Sequence, residues 1–372
     1  MEEIKKDPTD SENRKLINVL KEIENKKEWT RIDRLKMTVN APQCPVVYGL
    51  PKIHKEGTPL RLIFSFCGSP TYLVSKLLAG ILQPVYGKTK SHIKDSGQIC
   101  DDLRQLKLND DEVLVSYDVV NLFGSVPAEE AAKMAIRRLM EDRNLKERTS
   151  LSLESCEHLM EVCIKSSYFK CNGKFYRIPS CPIGSPLSPG LCSIFMEEFE
   201  KKVLFGSVQL VRLWRRFVDD SLAVVRRGSE DEVLEHLNDG HEKIKFTYEK
   251  EEGGKIGFLD VEIRREGEVV QTKVFRKKTA TERYLDFKSA HCQSVKWGVV
   301  SCLRSRAEKM CSTPKDLKEE IAYLRKVFMR NGYPVNEVRR KLSDTTKRRR
   351  DGKDQKDEMF LRISMCRRWR RR

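Results

Sequence analysis

Two adjacent carboxylates, Asp219 and Asp220, lie in the middle of a run of β-forming residues. Residues 214–218 on one side and 221–225 on the other favour strands, so the pair predicts the tip of a hairpin. Adjacent carboxylates repel each other, and the pair is unfavourable between apolar strands unless a cation neutralises it. The plainer alternative is that both are ordinary turn residues, because aspartate is common in turns.

A third acid, Asp118, ends another apolar run at residues 113–119, which is the pattern of a buried strand. Pro127, followed by Glu129 and Glu130, then predicts the start of a helix. Clusters of carboxylate oxygens are the ligands that Mg²⁺ prefers. Asp118 and the acidic pair are therefore candidate ligands of a divalent metal ion.

The rest of the chain predicts an α+β fold with a mostly antiparallel sheet. Residues 1–41 have the spacing of one or two charged helices. Strand-like runs separated by turn residues follow, and they lie at residues 46–66, at 168–177 around Asn172-Gly173, and at 244–249, 258–263 and 269–275.

Beyond residue 275 the pattern becomes helical. A helix is predicted at about 295–310 with Val295, Val299 and Leu303 inward, and a second begins at the cap Thr313 with Pro314 in its first position. We therefore divide the chain into residues 1–41, 42–275, 276–340 and a basic tail, 341–372, that is predicted to be disordered.

The charge balance indicates a polyanionic partner, because 72 Lys and Arg against 55 Asp and Glu leave a net charge of +17. Nucleic acid is the first candidate and an anionic membrane surface the weaker one. The twelve cysteines are scattered without paired spacing, which predicts a reduced intracellular protein without structural zinc. No apolar run approaches the length of a membrane-spanning helix.

Seven motifs in order over about residues 42–335 resemble those of a reverse transcriptase, and more narrowly the reverse transcriptase of Penelope-like retroelements. They are YGLPKIHK at 48–55, PLRLI at 59–63, the segment 118–127 ending in FGSVP, GSPLSP at 184–189, FVDD at 217–220, FLDV at 258–261 and FRKK at 275–278. The resemblance implies a right-hand polymerase fold, with fingers and palm at 42–275 and a helical thumb at 276–340.

The resemblance assigns metal binding, with Mg²⁺ or Mn²⁺ as cofactor, to the carboxylates of Asp118, Asp219 and Asp220 and to the carbonyl of Val119. Such ions activate a primer 3′-hydroxyl and stabilise the leaving pyrophosphate. The three aspartates are then the catalytic residues of an RNA-directed DNA polymerase. Its partners would be an RNA template, a DNA primer or RNA/DNA hybrid, and deoxynucleoside triphosphates.

Nucleotide binding is assigned by the same resemblance to four residues. Arg61 and Lys52 would hold the triphosphate, Phe123 would stack under the sugar and exclude a 2′-hydroxyl, and Gly184 would let the backbone approach the base pair. Contacts to template and primer are expected from Lys55, Arg276, Lys277 and Arg304.

Each of these roles has a plainer alternative. Phe123 can be a core aromatic, Lys52 a contact to the phosphate backbone, and Arg61 a solvated surface charge. Lys245 and Lys255 are possible proton donors to pyrophosphate, but neither is assigned that role.

Two features depart from the family's pattern. Gly124 stands where the family usually has Thr or another β-branched residue, and no GIY-YIG nuclease motif follows the thumb. An alternative function is therefore a decayed or domesticated retroelement fragment that binds RNA without polymerising. Basic runs in the tail favour a nuclear location.

Overall fold

Helices and strands alternate along the parts of the chain that the computed structural model describes, residues 2–53, 57–204, 210–277 and 279–343. The helices are α1 (Thr9–Asn25), α2 (Arg31–Lys36), α3 (Tyr72–Leu82), α4 (Ser96–Arg104), α5 (Leu122–Ser125), α6 (Ala128–Met140), α7 (Leu145–Arg148), α8 (Leu153–Lys165), α9 (Ser188–Val203), α10 (Glu230–Asp239), α11 (Gln293–Met310), α12 (Pro314–Arg330) and α13 (Val335–Ser343). None of the helices in these ranges has the length and apolar character to cross a bilayer.

The strands form three sheets. They are β1 (Glu2–Ile4), β2 (Val46–Pro51), β3 (Leu60–Ser65), β4 (Glu112–Val119), β5 (Tyr168–Cys171), β6 (Lys174–Arg177), β7 (Val211–Phe217), β8 (Asp220–Arg226), β9 (Phe246–Lys250), β10 (Lys255–Phe258), β11 (Val261–Glu266) and β12 (Val269–Val274). Most strand pairs are antiparallel, so the predicted α+β class is confirmed.

The central sheet has four strands in the order β7-β8-β4-β9, and both of its faces are covered. Alternate side chains of β4, such as Val115 and Tyr117, join the larger core with α6, α8 and α9, whereas Leu114 joins a second core with β10 to β12. Burial on both faces explains why β4 and β8 read as continuous apolar runs rather than as alternating ones.

The second sheet has five strands in the order β1-β6-β5-β2-β3. The hairpin of β5 and β6 turns at Asn172 and Gly173, whose φ angles of +50° and +80° are those of the turn that Asn-Gly predicts. The hairpin of β2 and β3 lies at the edge of this sheet, as the sequence predicts. Its inner residue Phe64 packs against Phe169.

The N-terminal segment belongs to these layers. Its helices α1 and α2 agree with the predicted charged helices, and Leu16, Leu20 and Ile23 of α1 are buried in the larger core. The sequence did not predict β1, which pairs with β6.

A three-stranded sheet, β10-β11-β12, carries the C-terminal helices. Arg264 of β11 pairs with Asp316 of α12 at 2.5 Å, and the Thr272 hydroxyl donates to the Met310 carbonyl at 2.7 Å. The predicted cap of α12 is confirmed, because the Thr313 hydroxyl accepts from the Asp316 N–H at 3.1 Å. The predicted disorder of residues 344–372 lies outside the described residues, and 341–343 belong to α13.

Two local predictions are wrong. The run 258–263 is not one strand, because β10 ends at Phe258 and β11 begins at Val261 after a two-residue turn in which Leu259 has φ +54°. The turn carries neither glycine nor proline, and apolar residues flank its single aspartate, so the local pattern does not separate the two strands.

The inward face of α11 is also displaced. Its buried positions are Lys296, Val300, Ala307 and Met310, whereas the predicted Val295, Val299 and Leu303 are only partly buried. Lys296 is buried because its ammonium lies 5.2 Å from the centroid of the Phe287 ring, and such a position is not expected of a lysine from pattern alone.

Candidate active site

The acidic site forms where β4 and β8 run side by side. Asp118 lies directly opposite Asp220 in this antiparallel pair, and directly opposite residues project from the same face of a sheet. The Val119 N–H donates to the Asp219 carbonyl at 3.1 Å, so Asp118 and Asp220 occupy the non-hydrogen-bonded position. Opposed Cα atoms are about 4.5 Å apart in that position, the closer of the two arrangements. The structure therefore brings Asp118 beside Asp220, which is distant in sequence, and places Asp219 in the adjoining turn.

The turn between β7 and β8 contains Val218 and Asp219, one residue earlier than the predicted acidic tip, and Asp220 is the first residue of β8. Val218 has φ +57°, a left-handed conformation that is rare for a β-branched residue. Glycine normally occupies such a turn position. The backbone immediately before Asp219 is thus strained.

A hard divalent cation fits this site by donor chemistry and register. Carboxylate oxygens of Asp118, Asp219 and Asp220 are the ligands that Mg²⁺ and Mn²⁺ prefer, and like charges set directly opposite each other destabilise a sheet unless they are neutralised. Val119 is buried and its side chain has no donor atom, so only its carbonyl could be a ligand, as the resemblance implies. Across the described ranges no three acidic, cysteine or histidine side chains form a ready-made metal site, so metal binding stays a proposal.

Beneath the turn, on the helix-covered face of the sheet, lies a buried ion pair. Arg216 of β7 and Glu200 of α9 are each 1% exposed, and the Arg216 Nε donates to Glu200 Oε1 at 2.5 Å. Arg216 Nη1 donates to the Val218 carbonyl at 3.2 Å. Glu200 also accepts from Trp214 Nε1 at 2.9 Å and from the Ser91 hydroxyl at 2.7 Å.

Neighbouring titratable groups respond to this environment. Burial, and secondarily the positive charge of Arg216, lower the pKa of His92 below its usual value. Burial raises the pKa of Glu197, one turn before Glu200 on α9, although the Gly87 N–H and Arg138 oppose the shift. Neutral imidazole is therefore favoured beside the buried guanidinium.

Two candidate nucleotide contacts lie on the edge hairpin. Arg61 of β3 is directly opposite Leu50 of β2, and the Lys52 N–H continues the ladder to the Pro59 carbonyl at 2.9 Å. Since side chains alternate along a strand, Lys52 and Arg61 share one face of the hairpin. Arg61 is exposed and Lys52 partly so, and Lys55 lies outside the described residues.

Gly184 approaches backbone rather than open space. A Cβ at this position would lie 2.0 Å from the Phe64 carbonyl oxygen, and its φ is +117°. The Phe64 N–H also donates to the Ile183 carbonyl at 2.9 Å. A glycine is thus needed here to seat this loop against β3, whether or not it also approaches a base pair.

The one-turn helix α5 follows β4 directly. Phe123 is partly buried and packs against the larger core, which agrees with the alternative that it is a core aromatic. Its partial exposure is compatible with a sugar contact as well. A Cβ at Gly124 would lie 2.2 Å from Asn121 Nδ2, so the Asn121 side chain fills the space of the side chain that the family usually has there. Asn121 itself has φ +54°, which asparagine tolerates better than most residues.

Comparison with known structures identifies the fold. Telomerase from Candida albicans in complex with a TWJ fragment of telomeric RNA matches with a TM-score of 0.52 at 11% identity, over 78% of this chain and 56% of that chain. The chain has a right-hand polymerase fold. We use palm, fingers and thumb below as names for the four-stranded sheet, the five-stranded sheet and the C-terminal helices, following the division that the family resemblance implies.

Further matches have lower TM-scores. Telomerase from Candida tropicalis with a TWJ fragment gives 0.48 at 14% identity, over 87% of this chain and 59% of that chain. The BmCPV RNA-dependent RNA polymerase at elongation state gives 0.48 at 11% identity, over 85% and 29%. The chain spans slightly more than half the length of these telomerase chains.

Sequence comparisons add one match. A family model for an animal helix-turn-helix domain matches residues 283–343, which include α11 to α13. No curated protein matches the chain.

The thumb side holds the remaining candidate nucleic-acid contacts. Arg276 forms a two-pronged ion pair with Glu320, and its guanidinium lies 3.9 Å from the centroid of the Tyr323 ring. Arg304 donates to Glu308 and to the Lys341 carbonyl, both at 2.8 Å. Both side chains already have protein partners, whereas Lys277 is exposed.

The sequence reasoning missed the buried pair of Arg216 and Glu200. One signal was available, because Arg216 has the same strand parity as the buried Trp214 and a charge at an inward position of a strand needs a partner. The acidic partner on α9 was not identifiable from the sequence.

Proposed function

We propose that the chain extends a primer by nucleotidyl transfer on an RNA template, as an RNA-directed DNA polymerase of the reverse-transcriptase type. The observation that carries the proposal is the register of β4 on β8, which sets Asp118 opposite Asp220 with Asp219 in the adjoining turn. The right-hand polymerase fold supports it. RNA as a partner is supported by the net charge of +17 and by the RNA bound to the telomerase of similar fold.

Within this proposal the residues divide the work. Asp118, Asp219 and Asp220 would hold Mg²⁺ or Mn²⁺, which when bound supplies an activated 3′-hydroxyl and charge neutralisation of the leaving pyrophosphate. Lys52 and Arg61, on one face of the fingers hairpin, would orient the triphosphate. A guanidinium suits this task because its planar fork binds phosphate oxygens in pairs.

Sugar selection in the proposal belongs to Phe123. Its position at α5, immediately after the metal-site strand, is consistent with a contact to the sugar of the incoming nucleotide. A partly buried ring is held by its core contacts, so it can act as a rigid barrier to a 2′-hydroxyl. Deoxynucleoside triphosphates are therefore the proposed substrates.

A retrotransposon origin of the Penelope-like kind, and a nuclear site of action, extend this proposal. Their support is the order of the seven motifs and the basic composition of residues 341–372. The right-hand polymerase fold is compatible with that origin but is shared by many polymerases, so the origin rests on the motifs alone.

The test is primer extension by the purified chain on matched RNA and DNA templates, with either deoxynucleotides or ribonucleotides and with Mg²⁺ or Mn²⁺. We expect deoxynucleotide addition on RNA, and its loss in Asp219→Asn. Asp110→Asn is the matched control. It makes the same chemical change away from the site, because Asp110 is fully exposed just before β4.

The outcomes separate the candidate functions. Extension that persists in Asp219→Asn would show that the assigned carboxylates are not catalytic. RNA binding without extension by the wild-type protein would favour the alternative of a domesticated or decayed fragment. Equal use of ribonucleotides would remove the role proposed for Phe123.

A further inference from the structure

The largest fully buried side chain in the described part of the chain is a charged one, Arg216. It lies two residues before Val218, on the palm face opposite the carboxylates, and its partner Glu200 is equally buried. Glu200 has a further donor for each of its oxygens, Trp214 Nε1 and the Ser91 hydroxyl. The pair is thus fully enclosed by protein.

Such a pair is a poor choice for stability alone. Removing two charges from water is unfavourable, and replacement of a buried ion pair by apolar residues of similar volume is often neutral or stabilising. The core on this face of the palm, which includes Leu191, Phe195 and Trp214, is otherwise apolar. A specific positional task would explain why charges are present here.

That task is visible at the turn. Arg216 uses Nε and Nη2 on Glu200, and its remaining arm donates from Nη1 to the Val218 carbonyl. On the other side, the Val119 N–H donates to the Asp219 carbonyl. Both peptide groups of the turn are therefore held, one by the buried guanidinium and one by β4.

The turn needs to be held because Val218 is in a left-handed conformation. A β-branched residue leaves that conformation when its environment permits, and the peptide group between Val218 and Asp219 would rotate with it. The Asp219 carboxylate would then be displaced from its neighbours. Arg216 is the buried donor that opposes this rotation.

We propose that Arg216, oriented by Glu200, is a positioning residue that holds the Val218-Asp219 turn so that Asp219 can serve as a metal ligand beside Asp118. The proposal rests on the proposed function. It does not require Arg216 to touch a nucleotide, a nucleic acid or a metal ion.

The first test is Arg216→Lys. Lysine keeps a positive charge beside Glu200, but its single ammonium head cannot replace the planar fork that reaches both Glu200 and the turn. We expect a folded protein whose affinity for Mn²⁺, measured by the electron paramagnetic resonance signal of the free ion, is weaker by about three- to tenfold, the equivalent of one lost hydrogen bond. Asp219→Asn defines the background of Mn²⁺ binding elsewhere.

The matched control is Arg138→Lys. Arg138 of α6 pairs at 3.1 Å with Glu197, which lies on α9 like Glu200, but Arg138 has no hydrogen bond to the turn. Its replacement should leave Mn²⁺ affinity and extension unchanged. If Arg216→Lys does not fold, the double variant Arg216→Met/Glu200→Leu removes both charges together and should fold, again with weakened Mn²⁺ binding.

A rescue experiment separates positioning from a general structural role. Glycine adopts the left-handed conformation without strain, so Val218→Gly in the Arg216→Lys background should restore much of the Mn²⁺ affinity. A purely structural role for Arg216 predicts no such recovery. Extension assays on the same proteins should show a lower kcat with little change in the KM for deoxynucleotides.

The results separate this proposal from the proposed function. Wild-type protein that binds Mn²⁺ through Asp219 but extends no primer would remove the polymerase assignment alone, because the titrations still test Arg216. Unchanged Mn²⁺ affinity in folded Arg216→Lys would overturn the positioning role. Failure of both Arg216 variants to fold would likewise overturn it, because the pair would then be needed for the fold itself. No difference between wild type and Asp219→Asn would overturn both ideas.

Discussion

Replacement of Gly184 by alanine tests how the fingers are seated on the palm. The new Cβ would lie 2.0 Å from the Phe64 carbonyl oxygen, about 1 Å closer than real Cβ contacts allow, and that oxygen belongs to the backbone rather than to a flexible side chain. The loop or β3 must therefore move by about 1 Å, which would break the bond from the Phe64 N–H to the Ile183 carbonyl.

The magnitude follows from three contributions. A left-handed backbone costs an L residue about 1–2 kcal/mol, and loss of one hydrogen bond costs about 0.5–1.5 kcal/mol. Displacement of the tightly packed Phe64 adds about 1–3 kcal/mol, as other overpacked sites do. We expect Gly184→Ala to lower the free energy of unfolding by about 2.5–6.5 kcal/mol, measured by urea denaturation.

Gly173→Ala is the matched control, because Gly173 also has a positive φ, of +80°, but no atom lies within 4 Å of its Cβ position. It should lose only the conformational part, about 1–2 kcal/mol. If the two variants are equally destabilised, the close approach of Gly184 to Phe64 is not a constraint on this fold. A stable Gly184→Ala protein that cannot extend a primer would instead support the base-pair contact implied by the family resemblance.

Three further predictions concern residues near and beyond the palm. Gly124→Ala should destabilise the protein, because the new Cβ would lie 2.2 Å from Asn121 Nδ2. Asn121→Gly should relieve this loss of stability in a double-mutant cycle monitored by urea denaturation, and additive effects of the two substitutions would contradict the prediction. Arg276→Lys should lower the free energy of unfolding by about 1–3 kcal/mol, since lysine forms neither the two-pronged ion pair with Glu320 nor the stacked contact with Tyr323. If the substitution instead flattens the salt dependence of RNA binding, Arg276 contacts phosphate. The pKa of Cys292 is lowered by a hydrogen bond with a nearby serine hydroxyl, which raises the thiolate fraction of Cys292 at neutral pH. Iodoacetamide should therefore modify Cys292 faster than the exposed Cys302, as measured by mass spectrometry. Equal rates would count against the shift.

Much of the local structure was predictable because its causes are local. The Asn172-Gly173 turn and the Thr313 cap follow from backbone preferences of a few adjacent residues, and both are observed. The strand that ends at Asp118 was predicted from its apolar run. Order along the chain also predicted the right-hand fold through the family resemblance.

Predictions failed where the local pattern and the tertiary environment disagree. The turn at Leu259 and Asp260 contains no glycine or proline, and its Asp260 pairs with the distant Arg306 of α11 at 2.7 Å. Lys296 is buried by the ring of Phe287 rather than by its own hydropathy. Contacts of this kind involve residues far apart in the chain, so no short pattern contains them.

The sequence by itself determined most of the strands around the site, the order of its motifs and the identity of the acids. Only the tertiary structure decided that Asp118 faces Asp220, because a change of one residue in the register of β4 would turn its carboxylate to the opposite face. It also decided that Arg216 meets Glu200 beneath the turn. Register and burial depend on how whole sheets and helices pack, and that packing is a property of the assembled core rather than of any one segment.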